Sequence, residues 1–555
     1  MKIHRATRPH LLLAAVAAGG LLLTTACGGD KKPAQEQAAS APSSAVAETA
    51  AATPAATPTP TPTVKPTGAD DPALKPFYGQ QITWAACAPD AKAAAQKIDI
   101  SLMKCGKLRV PLDYTNPSGE ALDLAVIKNP AAKPDQRLGS LMVNPGGPGG
   151  SGVDMVKTFD KDFQGTLHNR FDIVGWDPRG TGESSPVTCL DDKQRDAANA
   201  ADEPADPQKA KAQAEQQRAD LIAACQAKSG KLLPFVGTRN TARDLDVLRA
   251  AVGDQKLNYL GVSYGTYIGA LYAEEFPKNT GRLILDGAVD PAENKTDSLV
   301  NQVIGFDKSF QRFAVDCATK HAAECPLGKD PAKAAKKGAD FLDGLRENPL
   351  PTDSGRKVGS NLAWTGVSSM LYGDETISWQ NLRGTLAQAM KGGRGDYLLF
   401  FADNYNGRDE KGHYSPESDA FQAINCADGR PAPSAEEAQQ AVQKVKEQAP
   451  LRGRNVTVED LNDSSCVDWP VKPAETPHTV RAEGAAPILV VGTTGDPATP
   501  YAAAEKMAQG FASATLLTRV GEGHGAFGSG SGCVDAAYAA YLTEGTLPAA
   551  GTKCS

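Results

Sequence analysis

The fold is decided by one stretch of the chain, Asn258-Tyr259-Leu260-Gly261-Val262-Ser263-Tyr264-Gly265-Thr266-Tyr267-Ile268-Gly269-Ala270-Leu271. An apolar strand, a Gly-x-Ser-x-Gly motif and an apolar helix follow one another there without a break. A strand that turns into a helix around a Ser forms a tight elbow, in which glycines at 261 and 265 avoid clashes and the Ser263 hydroxyl stands clear of the sheet. A structural Ser in an ordinary loop is the alternative interpretation. The context favours a nucleophile at Ser263.

Two later segments provide a base and an acid for such a nucleophile. A Ser hydroxyl becomes a good nucleophile only when a base takes its proton, and an acid must orient that base. In folds with this elbow, the three residues follow one another in the sequence as Ser, then Asp or Glu, then His. Asp496 follows the apolar run 488–491, and His524 follows the run 516–520 between two glycines. An Asx-turn residue and a structural His are the plainer interpretations. Of the seven histidines, only His524 comes just past a late strand, which predicts a triad of Ser263, Asp496 and His524.

A glycine-rich loop at 144–152, Asn-Pro-Gly-Gly-Pro-Gly-Gly-Ser-Gly, is suited to holding an oxyanion. A tetrahedral intermediate needs two backbone N–H donors aimed at its oxygen. The residue after the nucleophile, Tyr264, supplies one, and we expect the Gly147 N–H to supply the other. The loop has neither the P-loop nor the dinucleotide-binding spacing, so a phosphate site is not favoured.

Apolar runs alternate with helical patterns from about residue 80, which predicts an α/β fold with a mostly parallel sheet. The predicted strands are 108–114, 122–128, 140–144, 171–176, 258–262, 282–286, 487–492 and 515–520, and the predicted helices include 241–252 and 264–276. Two segments, 186–237 and 290–480, interrupt this alternation of strands and helices. We therefore expect one core built from 76–289 and 481–555, with 290–480 inserted as a helical lid over the carboxyl ends of the strands.

The N-terminus has the features of an export signal. Basic residues precede the apolar run Leu11–Leu23, whose 13 residues are too few to span a bilayer. Small residues before Cys27 resemble a lipobox, so residues 1–27 are predicted to be a signal peptide that leaves a lipidated Cys27. Residues 28–75 are rich in Ala, Pro and Thr and are predicted to be a disordered linker. The net charge of −7, without basic blocks, does not favour a nucleic-acid partner.

Ten cysteines remain after Cys27, and an even number in an exported chain predicts disulfides. Pairing neighbours along the chain places each bond within one predicted segment. The expected pairs are 87–105, 189–225, 317–325, 426–466 and 533–554. No cysteine or histidine spacing is typical of zinc, and we expect neither a metal nor another cofactor.

Four blocks resemble the prolyl-aminopeptidase-like serine peptidases of the α/β-hydrolase fold, and within them the exported bacterial tripeptidyl aminopeptidases. They are Pro145–Gly149, Gly175–Ser184, Gly261–Tyr267, and the pair of segments Gly492–Pro500 and Gly521–Gly525. The resemblance covers roughly residues 80–554. It implies a lid and the release of short peptides from free N-termini. It also suggests that Trp176–Ser184 supports the oxyanion loop, with Arg179 as a structural ion-pair partner. Thr499 is placed either to bond Asp496 or to cap the following helix.

Three functions are compatible with these features. The first is a serine exopeptidase that releases short peptides, tripeptides above all, through an acyl-enzyme on Ser263. The second is a carboxylesterase or lipase with the same triad, and the third is a non-catalytic binding lipoprotein. For the exopeptidase, a lid carboxylate about 10 Å from Ser263 would meet the substrate amine across three extended residues. Asp374, Glu375 and Asp428 are the candidates.

Overall fold

The computed structural model describes residues 68–204, 206–429, 433–461, 466–473 and 476–555. The predicted signal peptide, Cys27 and most of the predicted linker 28–75 lie outside the described residues.

The described residues form a ten-stranded, mostly parallel sheet and a separate two-stranded hairpin. The strands of the sheet are β1 Ala85–Ala86, β2 Lys104–Pro111, β3 Ala121–Asn129, β4 Gly139–Asn144, β5 Phe171–Trp176, β6 Leu257–Val262, β7 Thr280–Asp286, β10 Ile488–Gly495, β11 Ala514–Glu522 and β12 Lys553–Cys554, and the hairpin pairs β8 Leu350–Pro351 with β9 Lys357–Val358. The order across the sheet is β1-β2-β3-β5-β4-β6-β7-β10-β11-β12. The pairs that join β1, β2, β3 and β5 are antiparallel, and every later pair is parallel. This confirms the predicted fold class.

Helices cover both faces of the sheet and fill the insertion. They are α1 Lys75–Tyr78, α2 Ala91–Gln96, α3 Gly152–Thr158, α4 Asp160–Phe163, α5 Thr166–Arg170, α6 Asp192–Ala200, α7 Pro207–Ser229, α8 Thr238–Ala251, α9 Tyr264–Glu275, α10 Lys295–Lys320, α11 Pro331–Gly344, α12 Ser360–Leu371, α13 Ile377–Gly392, α14 Asp396–Tyr405, α15 Glu417–Asp428, α16 Ala435–Gln448, α17 Val458–Leu461, α18 Tyr501–Gly510 and α19 Gly532–Glu544. One hydrophobic cluster joins the sheet to α8, α9 and α18, and another joins it to α3 and α19. Because both faces are covered, every residue of β4 and β5 is buried, and the burial does not alternate along either strand.

All eight predicted strands are present, but the boundaries of the first were wrong. The apolar alternation from Leu108 to Tyr114 suggested a strand there, whereas β2 begins at Lys104 and ends at Pro111. Residues 104–107 pair through their backbone with 125–128 of β3, which requires no apolar side chains. The helix predicted at 241–252 begins earlier, at Thr238, and the helix predicted at 264–276 is α9.

Between β7 and β10 the chain forms helices α10 to α17, of which α10 to α14 share a hydrophobic core of their own, while α15 packs in the cluster of the sheet. Phe310, Leu342, Trp364, Leu382 and Leu398 are among the buried members of the core that α10 to α14 share. We refer to residues 290–480 as the helical insertion.

All five predicted disulfides are formed: Cys87–Cys105, Cys189–Cys225, Cys317–Cys325, Cys426–Cys466 and Cys533–Cys554. Such bonds form and persist in oxidising compartments, which places the protein outside the cytoplasm. Within the described part of the chain, no helix has the length and apolarity that crossing a membrane would need.

Candidate active site

Ser263 lies in the one-residue turn between β6 and α9, at the carboxyl edge of the sheet. Its backbone has φ 58° and ψ −127°, a conformation that non-glycine residues seldom adopt. A Cβ atom at position 261 would lie 2.4 Å from the Gly265 carbonyl oxygen. A Cβ at position 265 would lie 2.9 Å from the Asn144 carbonyl oxygen. Gly261 is therefore required by the turn, as the sequence predicted, and Gly265 is required by the close approach of Asn144 at the end of β4.

Asp496 and His524 come together at the same edge, on the loops after β10 and β11. The His524 Nδ1 atom lies 2.9 Å from each carboxylate oxygen of Asp496. The Asp496 carboxylate is fixed in turn, because Oδ1 accepts the N–H groups of Ala498 and Thr499 while Oδ2 accepts the Gly525 N–H. The Thr499 hydroxyl donates to Oδ2 at 3.0 Å and lies 3.2 Å from Nδ1 of His524. The bond to the Asp496 carboxylate, which the sequence suggested for Thr499, is therefore present.

The His524 side chain is only 1% exposed. Burial lowers the pKa of the imidazole, but the Asp496 carboxylate and, secondarily, Asp286 outweigh it and raise the pKa above its ordinary value. The Nε2 atom is buried and has no hydrogen-bond partner among the described residues. The nitrogen that would serve as a base is thus left open, while the other nitrogen is held by a carboxylate.

The glycine-rich loop passes close over the elbow. A Cβ atom at position 146 would lie 2.9 Å from both the Ser263 Cβ and the Tyr264 nitrogen. Tyr264 opens α9, so its N–H is among those that no carbonyl of the helix accepts. Gly147 follows with φ +111°, and a Cβ there would lie 2.9 Å from the nitrogens of Gly149 and Gly150. The loop therefore brings its backbone, unobstructed by side chains, to the nucleophile turn.

The segment Trp176–Ser184 supports that loop. Asp177 accepts the Ser151 hydroxyl at 2.5 Å and the Val153 N–H at 3.2 Å, at the point where the loop enters α3. Burial raises the pKa of Asp177 to about 6, although these donors favour its ionised form. Arg179 is fully buried and bonds both oxygens of Asp244 at 2.7 Å. Arg179 is thus the structural ion-pair partner that the family resemblance suggested.

An apolar cleft opens beside the base. It is lined by Pro145, Met155, Phe159, Val262, Tyr372, His524 and Phe527. Tyr372 belongs to the helical insertion, and the other lining residues belong to the core. The cleft therefore lies where the helical insertion meets the core, beside His524.

The sequence relatives identify the family. Residues 454–554 match a family model described as TAP-like protein. The serine protease Hip1 of Mycobacterium tuberculosis is 38% identical over 86% of this chain and 92% of its own length. The chain belongs to the tripeptidyl-aminopeptidase-like family of α/β-hydrolases. As a member of this family it is a serine hydrolase.

Other members carry different names. Carboxylesterase B of Mycobacterium tuberculosis is 37% identical over 88% of this chain and 92% of its own length. The tripeptidyl aminopeptidase of Streptomyces lividans is 31% identical over 85% of this chain and 86% of its own length. The family thus shares its scaffold among proteins named for peptide and for ester substrates.

The core also contains a buried acid beside the candidate triad that the sequence did not reveal. Asp286 ends β7 and is fully buried, and it accepts the N–H groups of Ala526 and Phe527. These bonds fix the loop just after His524. An Asp at the end of a predicted strand, followed by Gly287, was the available signal.

The helical insertion also contacts the loops of the candidate triad. The His524 N–H donates to the Tyr372 carbonyl at 2.8 Å. Arg312 pairs with Glu522 and donates to the Gly495 carbonyl at 3.1 Å. Contacts between segments so distant in the chain leave no local sequence signal.

The three carboxylates proposed for amine binding already accept protein hydrogen bonds. Asp374 caps the turn that contains Thr376, Glu375 accepts the Glu522 N–H at 3.4 Å, and Asp428 accepts both the N–H and the hydroxyl of Thr238. These bonds engage both oxygens of Asp428 but only one oxygen each of Asp374 and Glu375. Among the described residues, no cluster of three or more His, Cys, Asp or Glu side chains could hold a metal ion.

Proposed function

We propose that this protein is a serine exopeptidase that releases short peptides, and tripeptides above all, from free N-termini. The observation that carries the proposal is the convergence of an open imidazole nitrogen, a fixed His–Asp pair and an elbow serine beneath a glycine-rich loop. The relatives named serine protease and tripeptidyl aminopeptidase support a peptide substrate.

In the proposed mechanism, Ser263 Oγ attacks the scissile carbonyl while His524 Nε2 takes its proton. Asp496 stabilises the imidazolium that results. The N–H groups of Tyr264 and Gly147 donate to the oxyanion of the tetrahedral intermediate. The intermediate collapses when His524 returns the proton to the leaving amine, which breaks the peptide bond and leaves an acyl-enzyme. Water activated by His524 then releases the peptide and restores Ser263.

The helical insertion is proposed to act as the lid. It touches both sides of the site, because Tyr372 packs edge-on against the His524 ring and the backbone of Glu417 lies against Gly149. Because the helical insertion contacts both His524 and the glycine-rich loop, it can limit the length of peptide that reaches Ser263.

We also propose that the protein is exported and held at the outer face of the cell membrane by a lipid on Cys27. The apolar run that ends in small residues before Cys27 supports this, and the linker 28–75 would separate the enzyme from the surface. Metabolic labelling with a lipid precursor should mark the protein and should fail to mark a Cys27→Ala variant.

The alternative is a carboxylesterase with the same triad. The relative named carboxylesterase B favours it, and so does the apolar cleft beside His524. Ester and peptide hydrolysis share every step above, so the substrate must decide between them.

Two measurements test the proposal. A fluorophosphonate probe should label the wild-type enzyme and not the Ser263→Ala variant, whose kcat should fall by at least about 10³-fold while the fold is retained. Retention of more than about a tenth of wild-type turnover would refute the nucleophile. A tripeptide amide with a free N-terminus should then be cleaved faster than its N-acetylated form. Equal rates for the two would favour the esterase.

A further inference from the structure

The side chain of Tyr264, the residue whose N–H is the proposed oxyanion donor, is anchored by a buried hydrogen bond. Its hydroxyl bonds the Thr238 hydroxyl, 26 residues away in the chain. Burial, and secondarily the Asp428 carboxylate, raise the pKa of the phenol well above its ordinary value, so the hydroxyl keeps its proton. Thr238 is fully buried and is the first residue of α8. The anchor of Tyr264 thus lies at the start of another helix.

Asp428, the last residue of α15 in the helical insertion, completes a relay behind Tyr264. Its Oδ2 accepts the Thr238 hydroxyl at 2.5 Å, and its Oδ1 accepts the Thr238 N–H at 2.6 Å. A threonine hydroxyl has one proton, and here the carboxylate accepts it, so the phenol donates to Thr238. The relay therefore runs in one direction, from Tyr264 through Thr238 to Asp428.

The position of Asp428 is not explained by the stability of its own helix. A carboxylate at the C-terminus of a helix lies at the negative end of the helix dipole, which is unfavourable. The helix α8, by contrast, begins after Gly237, which offers no side chain to the free N–H groups of that end. Asp428 caps α8 from 190 residues away through one oxygen, while its other oxygen bonds the hydroxyl that holds Tyr264.

The helix α15 contacts both proposed sources of oxyanion donors. At its start, the Glu417 carbonyl oxygen would lie 2.7 Å from a Cβ atom at Gly149, so the helix packs against the glycine-rich loop. At its end, Asp428 reaches Tyr264 through Thr238. Between these ends, buried residues of α15 belong to the same hydrophobic cluster as Tyr264: Ala420, Ala423, Ile424, Cys426 and Ala427. A shift of α15 would therefore affect both donors.

We infer that Thr238 and Asp428 are positioning residues for the oxyanion hole, which hold the Tyr264 N–H in place by fixing the far end of its side chain. The inference rests on the proposed function, in whose mechanism that N–H donates to the oxyanion. A tyrosine side chain has only two rotatable bonds, so a fixed hydroxyl restricts the backbone to which the side chain is attached. Because Asp428 belongs to the insertion, the relay makes the alignment of the oxyanion hole depend on how α15 packs.

The test is the Tyr264→Phe variant, which keeps the ring and removes the hydroxyl. Loss of a whole oxyanion donor costs about 10²- to 10³-fold in kcat, so a donor that remains but is held less firmly should cost about tenfold. We expect kcat/KM for p-nitrophenyl acetate to fall by about this factor. Trifluoroacetophenone forms an adduct with the serine that presents an oxyanion, so its inhibition constant should rise by the same factor.

Tyr272→Phe is the matched control, because Tyr272 is a second buried tyrosine of α9. Its hydroxyl also bonds an acid of α8, since it donates to Asp246 at 2.8 Å. It lies about two helical turns beyond Tyr264, away from the elbow. Tyr272→Phe should lower the unfolding free energy but leave both kinetic constants within about twofold of wild type. Equal kinetic losses in the two variants would show a general loosening of α9 and would overturn the inference.

Substitutions at position 238 separate the hydrogen bonds from packing. Thr238→Val keeps the shape of the side chain and removes the hydroxyl, whereas Thr238→Ser keeps the hydroxyl and removes a methyl group. We expect Thr238→Val to repeat the losses of Tyr264→Phe, and Thr238→Ser to retain nearly wild-type constants. A Thr238→Ser enzyme as impaired as Thr238→Val would refute the relay, because packing would then be the cause.

A double-mutant cycle tests the contribution of the insertion, with rates expressed per active site titrated by a fluorophosphonate. Because Asp428 is inferred to act through the phenol, Asp428→Ala combined with Tyr264→Phe should lose about tenfold, like either single variant, rather than about a hundredfold. Additive losses would show that Asp428 acts independently of Tyr264 and would overturn its assignment.

The outcomes separate the inference from the proposed function. Ester hydrolysis that survives in Ser263→Ala would refute the proposed mechanism itself. Ester hydrolysis that requires Ser263 but is unchanged in Tyr264→Phe, together with an unchanged inhibition constant, would refute only the relay.

Discussion

Replacing Asp496 with Asn tests the central electrostatic feature of the site. The Asp496 carboxylate is 0% exposed and lies 2.9 Å from Nδ1 of His524 through either oxygen. Asn fits the same space, and its oxygen can still accept the N–H groups of Ala498 and Thr499, which now bond Oδ1. The amide nitrogen then replaces Oδ2, beside the Gly525 N–H. The variant should fold with the base facing a neutral amide instead of a carboxylate.

The expected loss of activity in Asp496→Asn can be calculated from the geometry. Two opposite charges 2.9 Å apart attract by about 6 kcal/mol at an effective dielectric constant of about 20. The imidazolium forms only as Ser263 attacks, so this attraction stabilises the transition state more than the ground state. The amide dipole of Asn recovers part of this attraction, so the variant loses about 4–5 kcal/mol of transition-state stabilisation. At about 1.4 kcal/mol per factor of ten, kcat should fall about 10³- to 10⁴-fold.

The assay is the hydrolysis of a small activated ester, which needs the triad and no peptide subsite. Asp286→Asn is the matched control, because Asp286 is the other buried acid near His524 but bonds the backbone of Ala526 and Phe527. We expect Asp286→Asn to lower the unfolding free energy and to lose at least a hundredfold less activity than Asp496→Asn. The reasoning is refuted if Asp496→Asn loses less than tenfold, or if the two variants lose equal activity.

Two further expectations concern the base and the scaffold. His524 must be neutral to accept a proton, and its surroundings raise its pKa above the ordinary 6.5. We therefore expect kcat/KM for the small ester to fall as the pH is lowered, with a midpoint above 6.5. A midpoint below 6 would contradict the raised pKa. Arg179→Met leaves the buried Asp244 without its partner and should lower the unfolding free energy by about 3–5 kcal/mol. Urea unfolding measures the second effect, and a loss below about 1 kcal/mol would show that Arg179 is not a structural ion-pair partner.

The elbow, the strands and the disulfides could be predicted because their constraints are local in the sequence. Gly261 is needed by a turn only five residues long, and the strands carry apolar runs because helices bury both faces of the sheet. The neighbouring cysteines pair because each predicted segment closes on itself, as in the short 317–325 loop. Local pattern failed at the start of β2, where backbone pairing extends the strand through polar residues.

The contacts of Asp286 and Tyr372 could not be predicted, because each depends on a distant segment. Sequence indicated that a lid carboxylate should exist and gave no means to tell which candidates the fold already engages. Asp428 is a candidate by position, yet Thr238, 190 residues away, already donates to both of its oxygens. These bonds arise from the packing of the helical insertion on the core.

That packing links substrate selection to the chemistry. Through Tyr372 the helical insertion holds the backbone of His524, and through Arg312 it joins Glu522 to the Gly495 carbonyl. These two loops carry the base and its acid, so a shift of the insertion would displace both relative to Ser263. The elbow that holds Ser263 belongs to the core, whereas the backbone of Glu417 in the insertion lies against Gly149 of the glycine-rich loop. A change in the insertion can therefore alter which acyl group is accepted and how well the base is aligned, while the elbow stays the same.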